Sequence, residues 1–420
     1  MNIQIMFMDS KWTESQEKKI ELKESPECAA VFETFLKYLY TGKVCVDFAN
    51  VIPLLQLADK YNVTDLLNVG LDFMSRNVPQ AGNKNQVVSW FQFTTNCGYA
   101  NVASLCLDFI KWNYSTVCES IDWQNIESES LVALLNSSDI VVHDEMVIFT
   151  SVQKWLSDTE ERMVREGENN IHLHLERLTQ ATVSCVRFPM MTPSQVADLL
   201  LSPLTKQHMG FMVERMSGAM AYHRNRESAV NAILRWKNGD RMLTPRLYTE
   251  DKYCANLSID YFSQLPMYHC RSLYFSAFEA VADYAGESQT DWMIDIYPKG
   301  VWIQKCHAIF TSGAMKEVPD KVLTTVRASV SMKECTEKRV KIGILINANE
   351  NGYEHIGHAR TANYIFSKDD QIVNFDNLLE FGALNDRKFK SKFLSGPNRD
   401  SLKIYVTITP LHKLGSLVIP

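Results

Sequence analysis

The most informative stretch of this 420-residue sequence begins with Trp12-Thr13-Glu14-Ser15 and closes with Tyr38-Leu39-Tyr40-Thr41-Gly42-Lys43. Between them, Ser25-Pro26-Glu27 supplies an N-cap, a proline at the first helical position and an acid in the first turn. Gly42 can end the helix that begins there. One apolar face runs along this predicted helix, formed by Val31, Phe32, Phe35, Leu36 and Leu39.

Helical spacing of apolar residues continues to about residue 223. A second helix carries Val51, Leu54, Leu55 and Ala58, and a third starts at Thr64. Further on, Asp144 and Glu145 open a helix with a broad apolar stripe, formed by Ile148, Phe149, Val152, Trp155 and Leu156. The segment 157–170 holds five acids and two arginines, and we interpret it as a solvated loop between helices.

The period of the pattern changes near Asn238-Gly239-Asp240. Apolar residues then alternate along two extended segments, at Val340, Ile342, Ile344 and Ile346 and at Leu402, Ile404, Val406 and Ile408. Asn351-Gly352 and Pro298-Lys299-Gly300 supply turn chemistry at strand ends. The sequence therefore predicts a multidomain α+β protein whose helical regions precede a C-terminal antiparallel β-sandwich.

Composition indicates an ordinary folded protein of two to three domains, with 46% hydrophobic and 22% charged residues. A net charge of -6 gives no general attraction to phosphates, so we expect no nucleic-acid partner. No apolar run approaches the ~20 residues of a membrane span, and we expect none. Because Met1–Met8 lacks the features of a signal peptide, the chain as written is expected to be cytoplasmic.

Ten cysteines are scattered singly, without a Cys-x-x-Cys pair, which favours reduced and mostly buried thiols. Four glycosylation sequons, at Asn62, Asn113, Asn136 and Asn256, instead favour a secreted protein. If the protein is secreted, Asn113 and Asn256 are the expected acceptors.

The sequence predicts no catalytic, cofactor or metal site. There is no phosphate-binding glycine loop, nucleophile elbow or His-Glu-x-x-His motif. Glu354-His355 and His358 resemble a zinc motif, but we interpret these histidines as solvent-facing loop residues because strand residues at i and i+3 diverge. His172 and His174 lack a third ligand, and Cys306-His307 is unsupported. The basic stretch Arg387–Phe393 is interpreted as a half-buried strand.

A family resemblance follows from these motifs. Trp12–Thr41, with Leu57-Ala58-Asp59-Lys60-Tyr61, resembles the C-terminal half of a BTB/POZ domain. Glu145, Trp155-Leu156 and Val186–Met190 lie in a region similar to the BACK helical domain. Asp291–Gly300 looks like a strand and turn of TRAF/MATH-type sandwiches, and the order of all three most resembles the BTB/POZ domain-containing protein 17 group. We therefore expect a BTB part at 1–77, a BACK domain at 78–237, a linker at 238–250 and a sandwich at 251–415.

What the resemblance implies is a non-catalytic adaptor, a substrate-recruiting subunit of a cullin-3 RING ubiquitin ligase. In such adaptors a hydrophobic-x-Glu motif and the tyrosine of a Tyr-Thr-Gly turn contact the cullin-3 scaffold, and these positions fall on Trp12, Glu14 and Tyr40. The alternative is that Trp12 covers the domain's own core and Glu14 caps a helix. In the sandwich, Phe375-Asp376-Asn377-Leu378 departs from the Trp-Gly-Phe of MATH domains, which puts their usual peptide binding in doubt.

The front half of a BTB domain is not recognised ahead of Trp12, so we expect Met1 to be an alternative or mispredicted start. The resemblance implies a homodimer for an intact BTB domain. Without the front half, residues such as Phe32, Phe35 and Leu36 are expected to lack part of their covering. A second hypothesis is a secreted glycoprotein scaffold of the galectin-binding BTB/BACK type, reached through a lost upstream signal peptide.

Overall fold

The computed structural model describes residues 22–224, 227–236, 238–281, 288–302, 310–311, 314–315, 323–334, 336–386 and 390–411. The chain divides into two compact units, residues 1–110 and 111–420. Each unit has a hydrophobic core of its own. The described part combines a helical N-terminal region with a C-terminal antiparallel sheet domain, which confirms the predicted α+β class.

The regular secondary structure of the N-terminal unit is helical among its described residues. Its helices are α1 (Pro26–Thr41), α2 (Val51–Lys60), α3 (Thr64–Asn83), α4 (Val87–Asn96) and α5 (Ala100–Trp112), the last of which continues into the second unit. The core under α1 combines side chains of α1, α2, α3 and the turn between them, and its members are Cys28, Phe35, Leu54, Leu57, Ala58, Tyr61 and Leu66.

Both ends of α1 follow the predicted chemistry. The Ser25 side chain accepts a hydrogen bond from the backbone N–H of Cys28, and Pro26 occupies the first helical position. Gly42 ends the helix in the left-handed region at φ 66°, and its N–H donates to the Tyr38 carbonyl. The local sequence therefore defines where this helix starts and stops.

The expected loss of covering on α1 is only partly observed. Phe35 is 0% exposed, because the rings of Phe32 and Tyr61 pack against it at centroid distances of 5.8 and 5.4 Å. The expectation was therefore wrong for Phe35. Phe32 is half-buried, and Leu36 is 40% exposed.

The second unit begins with a longer helical region. Its helices are α6 (Tyr114–Glu119), α7 (Ser128–Leu135), α8 (Glu145–Glu166), α9 (Ile171–Val183), α10 (Pro193–Asp198), α11 (Pro203–Gln207), α12 (Met209–His223), α13 (Glu227–Leu234) and α14 (Gly239–Met242). Short 3-10 turns lie at Ile121–Asn125, Phe188–Met190 and Leu199–Leu201. As predicted, α8 opens at Asp144, whose side chain accepts from the backbone N–H of Val147.

The solvated loop predicted at 157–170 was wrong for most of its length. Helix α8 continues to Glu166, and only Gly167, at φ 71°, ends it. The acids and arginines lie on its outer side, while Thr159 and Met163 continue the buried stripe of Trp155 at intervals of four residues. A charged segment with one buried residue per turn can therefore remain helical.

The strands follow the helical region, apart from the first. They are β1 (Val141–Val142), β2 (Leu247–Tyr248), β3 (Cys254–Ile259), β4 (Arg271–Phe278), β5 (Gln289–Tyr297), β6 (Phe310–Thr311), β7 (Ala314–Met315), β8 (Arg327–Met332), β9 (Lys338–Glu350), β10 (Tyr353–Phe366), β11 (Ile372–Phe375), β12 (Leu394–Ser395) and β13 (Ser401–Pro410). A 3-10 turn at Phe262–Gln264 and helix α15 (Phe381–Asn385) lie between strands.

Two antiparallel sheets face each other across one core. The five-stranded sheet has the order β10-β9-β13-β12 with β3 also paired to β13, and the four-stranded sheet has the order β11-β8-β5-β4. The predicted alternations at Val340–Ile346 and Leu402–Ile408 are confirmed, since these side chains point into the core. Asn351 and Gly352, at φ 54° and 87°, form the tight turn between β9 and β10.

One further segment differs from its predicted structure. The half-buried strand predicted at Arg387–Phe393 was wrong for its described part, because residues 390–393 form an irregular turn that leads into β12. Lys392 pairs there with Glu350 at 3.2 Å, and residues 387–389 lie outside the described residues. The segment 238–250 contains α14 and β2, and its Arg246 is 0% exposed.

Candidate functional site

The exposed face near the end of α1 carries the one predicted partner-binding residue that the structure describes. Tyr40 is 90% exposed, Leu36 is 40% exposed and Leu39 is 39% exposed. Spacings of three and four residues place these side chains on one side of a helix, and we call them the Tyr40 surface. It is a small apolar area next to the side of α1 that carries Phe35 into the core.

Hydrogen bonds fix the backbone beneath Tyr40. The Thr41 hydroxyl donates to the Lys37 carbonyl at 2.7 Å and accepts from the Lys43 N–H at 3.2 Å. With the Gly42 cap, these bonds satisfy groups that a helix end leaves unpaired. The ring of Tyr40 is therefore presented from an ordered turn.

The other two predicted contact residues, Trp12 and Glu14, lie outside the described residues. Their relation to Tyr40 stays a prediction. Cys306-His307, which the sequence motifs also raised, lies outside the described residues as well.

The two predicted glycosylation acceptors have different surroundings. The carboxamide of Asn113 bonds twice to the backbone of Ile356, accepting from its N–H at 2.8 Å and donating to its carbonyl at 3.1 Å. Asn256 lies on β3 with an exposed side chain. Of these two residues, only Asn256 has its amide nitrogen available in the folded chain without breaking such bonds.

The predicted solvent-facing loop histidines lie in a strand instead. His355 and His358 belong to β10, where a bulge falls between Ile356 and His358, and His355 is 6% exposed. Burial lowers the pKa of both imidazoles. Trp112 packs edge-on to His358 at 5.9 Å, and the ring of Tyr353 stacks on that of His355 at 5.5 Å. Among the described residues, no group of three His, Cys, Asp or Glu side chains could hold a metal ion.

His172 and His174 lie on helix α9, so they do not form the extended pair that the sequence raised. His174 instead lies 3.6 Å from Glu168. The described cysteines are all free thiols, of which four are buried: Cys28, Cys106, Cys118 and Cys185.

A buried charged network that the sequence did not reveal joins the helical region to the sandwich. Glu145, at the first turn of α8, is 0% exposed. One of its oxygens accepts from Arg246 Nε and from the Tyr248 hydroxyl, each at 2.8 Å, and the other accepts from the Arg187 N–H at 3.2 Å. We call this set, together with Lys341, the helix–sandwich junction.

The two guanidinium groups of the junction also bond to neighbouring oxygens. Arg187 Nη2 donates to the Ser137 carbonyl and the Ser138 hydroxyl, both at 3.0 Å, and Arg246 Nη2 donates to the Cys185 carbonyl at 3.1 Å. Burial and the neighbouring Arg246 lower the pKa of Arg187 to about 9. A buried charge is tolerated only with such partners.

Lys341 reaches the junction from the sandwich side, on β9. Its Nζ donates to the carbonyls of Ser138 and, at 3.0 Å, of Pro245. Burial is the main cause that lowers the pKa of this amine to about 7, and Arg187 adds to the effect. Beside it, β1 and β2 pair in parallel, with Val141 opposite Leu247.

Sequence reasoning could not find this junction from local patterns. An acid at position 145 is ordinarily interpreted as a first-turn residue whose negative charge interacts favourably with the helix dipole. Arg246 lies 101 residues away along the chain, so no helical or strand periodicity connects the two. Within the part of the chain that the structure describes, no helix is both long and apolar enough to cross a bilayer.

Comparison with protein families assigns these regions. Residues 3–77 match the BTB/POZ domain, residues 87–201 match the BACK (BTB And C-terminal Kelch) domain, and residues 243–412 match the BTBD17 TRAF domain. The chain therefore contains a BTB/POZ domain, a BACK domain and a TRAF domain in this order.

Its relatives include vertebrate proteins of the BTB/POZ class. BTB/POZ domain-containing protein 17 of Xenopus laevis is 25% identical over 406 residues, which cover 94% of this chain and 79% of the relative. The Homo sapiens protein of that name is 31% identical over 185 residues, or 44% of this chain and 36% of the relative. Galectin-3-binding protein of Mus musculus is 24% identical over 238 residues, covering 56% of this chain and 38% of the relative.

The chain thus spans most of one relative's length and little more than a third of the others'. BTB, BACK and TRAF domains are typically non-catalytic modules that bind other proteins. Their combination makes this chain a protein-interaction adaptor by architecture.

Proposed function

We propose that the protein is a substrate-recruiting adaptor of a cullin-3 RING ubiquitin ligase. The observation that carries the proposal is Tyr40, a 90% exposed aromatic ring held at a capped helix end beside the partly exposed Leu36 and Leu39. The BTB part would bind the scaffold, and the sandwich would bind the target.

The chemistry of the Tyr40 surface supports a protein partner. Tyrosine is enriched among the residues that dominate interface energies, because its ring fills a pocket while its hydroxyl keeps a polar contact. Leu36 and Leu39 add adjacent apolar area at the same face. In the family resemblance, Trp12 and Glu14 complete this surface, the first as an anchor and the second as a rim carboxylate.

Binding of purified cullin-3 to the full-length chain tests the proposal, measured by biolayer interferometry. Loss of about 2 kcal/mol at a hot-spot tyrosine corresponds to about 30-fold weaker binding, which we expect for Tyr40→Ala. The Trp12→Ala plus Glu14→Ala double variant is expected to weaken binding as well. Tyr274→Ala is the matched control, since that ring is 66% exposed on the sandwich strand β4.

Two results would contradict the proposal. Absence of cullin-3 binding by the wild-type chain removes the scaffold role. Equal binding by wild type and both variants removes the assigned residues while leaving an adaptor role elsewhere.

Homodimerisation through an intact BTB domain is part of the same proposal. Light scattering after size-exclusion chromatography of the full-length product of the gene measures the mass directly. A concentration-independent monomer would overturn this part alone.

A secreted glycoprotein scaffold is the second candidate function. The observation that favours it is the exposed Asn256 within an intact sequon, together with the similarity to galectin-3-binding protein. Expression of the longest transcript, followed by glycosidase treatment of the medium, tests it. We expect Asn256→Gln to reduce the mobility shift and Asn113→Gln to leave it unchanged, whereas an intracellular and unglycosylated product excludes this candidate.

A further inference from the structure

An open cleft of about 490 Å³ lies within the second unit, beside the helix–sandwich junction. One wall is the chain from Trp112 to Thr116, and the other is the outer side of the five-stranded sheet, at β9, β10 and β13. Its volume falls in the range of roughly 300–1,000 Å³ that is usual for ligand sites.

Asn347 of β9 is one of the polar residues that line the cleft. This residue is only 8% exposed, and no described residue forms a hydrogen bond with its carboxamide. Solvent reaches this carboxamide through the open cleft. Because a carboxamide can donate and accept simultaneously, a ligand in the cleft could form both kinds of hydrogen bond with Asn347.

Other polar groups around Asn347 are also unpaired within the described chain. The hydroxyls of Ser115, Thr249 and Tyr405 line the cleft without a side-chain hydrogen bond to a described residue. Beside them lies an apolar cluster of Val141, Leu247 and Leu345, against which Trp112, Ile356, Ala359 and Tyr405 pack. An apolar surface with a few convergent polar groups is the usual composition of a binding site.

The cleft is close to electrically neutral. Glu354 is its charged lining residue, and Lys403 pairs with it at 3.0 Å. His355 also lines the cleft, and its burial disfavours the charged imidazolium. A strongly charged ligand would therefore find no unpaired countercharge among the described residues that line the cleft.

The wall of the cleft already contains an example of the bonding that Asn347 could make. Asn113 pairs its carboxamide with both the N–H and the carbonyl of Ile356, at 2.8 and 3.1 Å. In the β9–β10 ladder, Ile356 is the direct partner of Asn347. The Asn113 carboxamide thus binds the backbone of Ile356. The Asn347 carboxamide, on the residue paired with Ile356, lines the cleft without a partner among the described residues.

We propose that this cleft binds a short uncharged peptide segment of a protein partner. A peptide group of that segment pairs with the Asn347 carboxamide, its apolar side chain contacts the Ile356 and Tyr405 side, and its polar groups meet the free hydroxyls. This site goes beyond the proposed ligase function, because it requires neither the scaffold nor the Tyr40 surface.

Selection of a random seven-residue peptide phage library on the full-length chain tests the site. Enriched peptides are synthesised, and their affinity is measured by fluorescence polarisation in the absence of cullin-3. We expect peptides with few charges, at least tenfold weaker binding to Asn347→Leu and about threefold weaker binding to Tyr405→Phe. The matched control is Asn363→Leu, an asparagine of β10 outside the lining of the cleft, which should bind as wild type does.

Thermal unfolding of each variant establishes that it folds. If Asn347→Leu does not fold, Tyr405→Phe still tests the site. No enriched peptide, predominantly charged peptides, or affinities unchanged in Asn347→Leu and Tyr405→Phe would each overturn the proposal. Free galactose and mannose are tested separately, and binding of a sugar at Asn347 without any peptide binding would also overturn it. Peptide binding that survives Tyr40→Ala shows that this site stands independently of the ligase proposal.

Discussion

The Tyr40 surface and the helix–sandwich junction depart from the usual distribution of polarity in opposite ways. At the first, three apolar side chains remain partly or almost wholly in water on an ordered helix. At the second, Glu145, Arg187 and Arg246 are 0% exposed, and hydrogen bonds surround them. Both arrangements cost free energy. A partner molecule can offset the first cost, and hydrogen bonds within the chain offset the second.

The difference separates residues that await another molecule from residues that organise the chain itself. Exposed apolar area becomes favourable only when a partner covers it, so Tyr40 should contribute to binding and little to folding. The junction charges already have their partners inside the second unit. They should contribute to folding, and to binding only through the position of the sandwich.

The largest expected effect is at Glu145. Glu145→Leu leaves the Arg246 guanidinium, the Tyr248 hydroxyl and the Arg187 N–H without their shared acceptor, and breaking a buried pair in this way costs about 3–5 kcal/mol. Urea unfolding followed by circular dichroism measures the loss. Glu160→Gln, an exposed acid on the same helix, should change the free energy of unfolding by less than about 0.5 kcal/mol. Equal stability of the two variants would show that the junction is not structural.

A smaller effect is expected at Gly343, where β9 approaches β2. A Cβ atom at this position would lie 2.6 Å from both Leu247 Cδ2 and Thr407 Oγ1. Gly343→Ala should therefore lower the free energy of unfolding by about 1–3 kcal/mol through overpacking. Differential scanning calorimetry tests this, with Gly382→Ala as the control because no described atom lies within 4 Å of its added Cβ. An unchanged Tm for Gly343→Ala would mean that the contact is loose.

Lys341 gives the junction a dependence on pH. Its pKa is about 7 in the folded chain against 10.5 for the free side chain, so the unfolded state binds more protons between these values. The free energy of unfolding should therefore rise with pH across this window, by at most about 1.4 kcal/mol per pH unit. Below the window, Lys341 should make no contribution to the pH dependence. Urea unfolding at several pH values compares wild type with Lys341→Met. Parallel pH profiles of the two proteins would contradict this assignment.

The smallest effect on folding is expected at Tyr40. Because its ring is 90% exposed, Tyr40→Ala should change the free energy of unfolding by less than about 0.5 kcal/mol. The same urea unfolding experiment measures it. A loss above about 1 kcal/mol would place Tyr40 among the structural residues and erase its contrast with Glu145.

The features that the sequence predicted correctly depend on neighbours along the chain. The Ser25 cap, the Gly42 stop, the Asn351-Gly352 turn and the alternation at Val340–Ile346 each need only local backbone geometry and one buried face. The error at 157–170 came from composition. Its charges indicated a loop, although Thr159 and Met163 kept the helical stripe in contact with the core.

The candidate sites were predicted less completely, because they depend on contacts between distant segments. Tyr40 came from a family motif, and the partner-binding roles of Tyr40, Trp12 and Glu14 all remain predictions. The burial of Glu145 and the unpaired carboxamide of Asn347 arise only when helices and sandwich pack together. Neither residue stands out by type or spacing.

The pairing of β1 with β2 bears on how such a protein can evolve. Arg246 and Leu247 fall inside the TRAF match that begins at residue 243, yet Glu145 and Val141, which they contact, fall inside the BACK match. Recombination that moved the sandwich alone into another gene would leave Arg246 and the apolar strand β2 exposed at its surface. The two domains are therefore expected to be inherited as a single cassette.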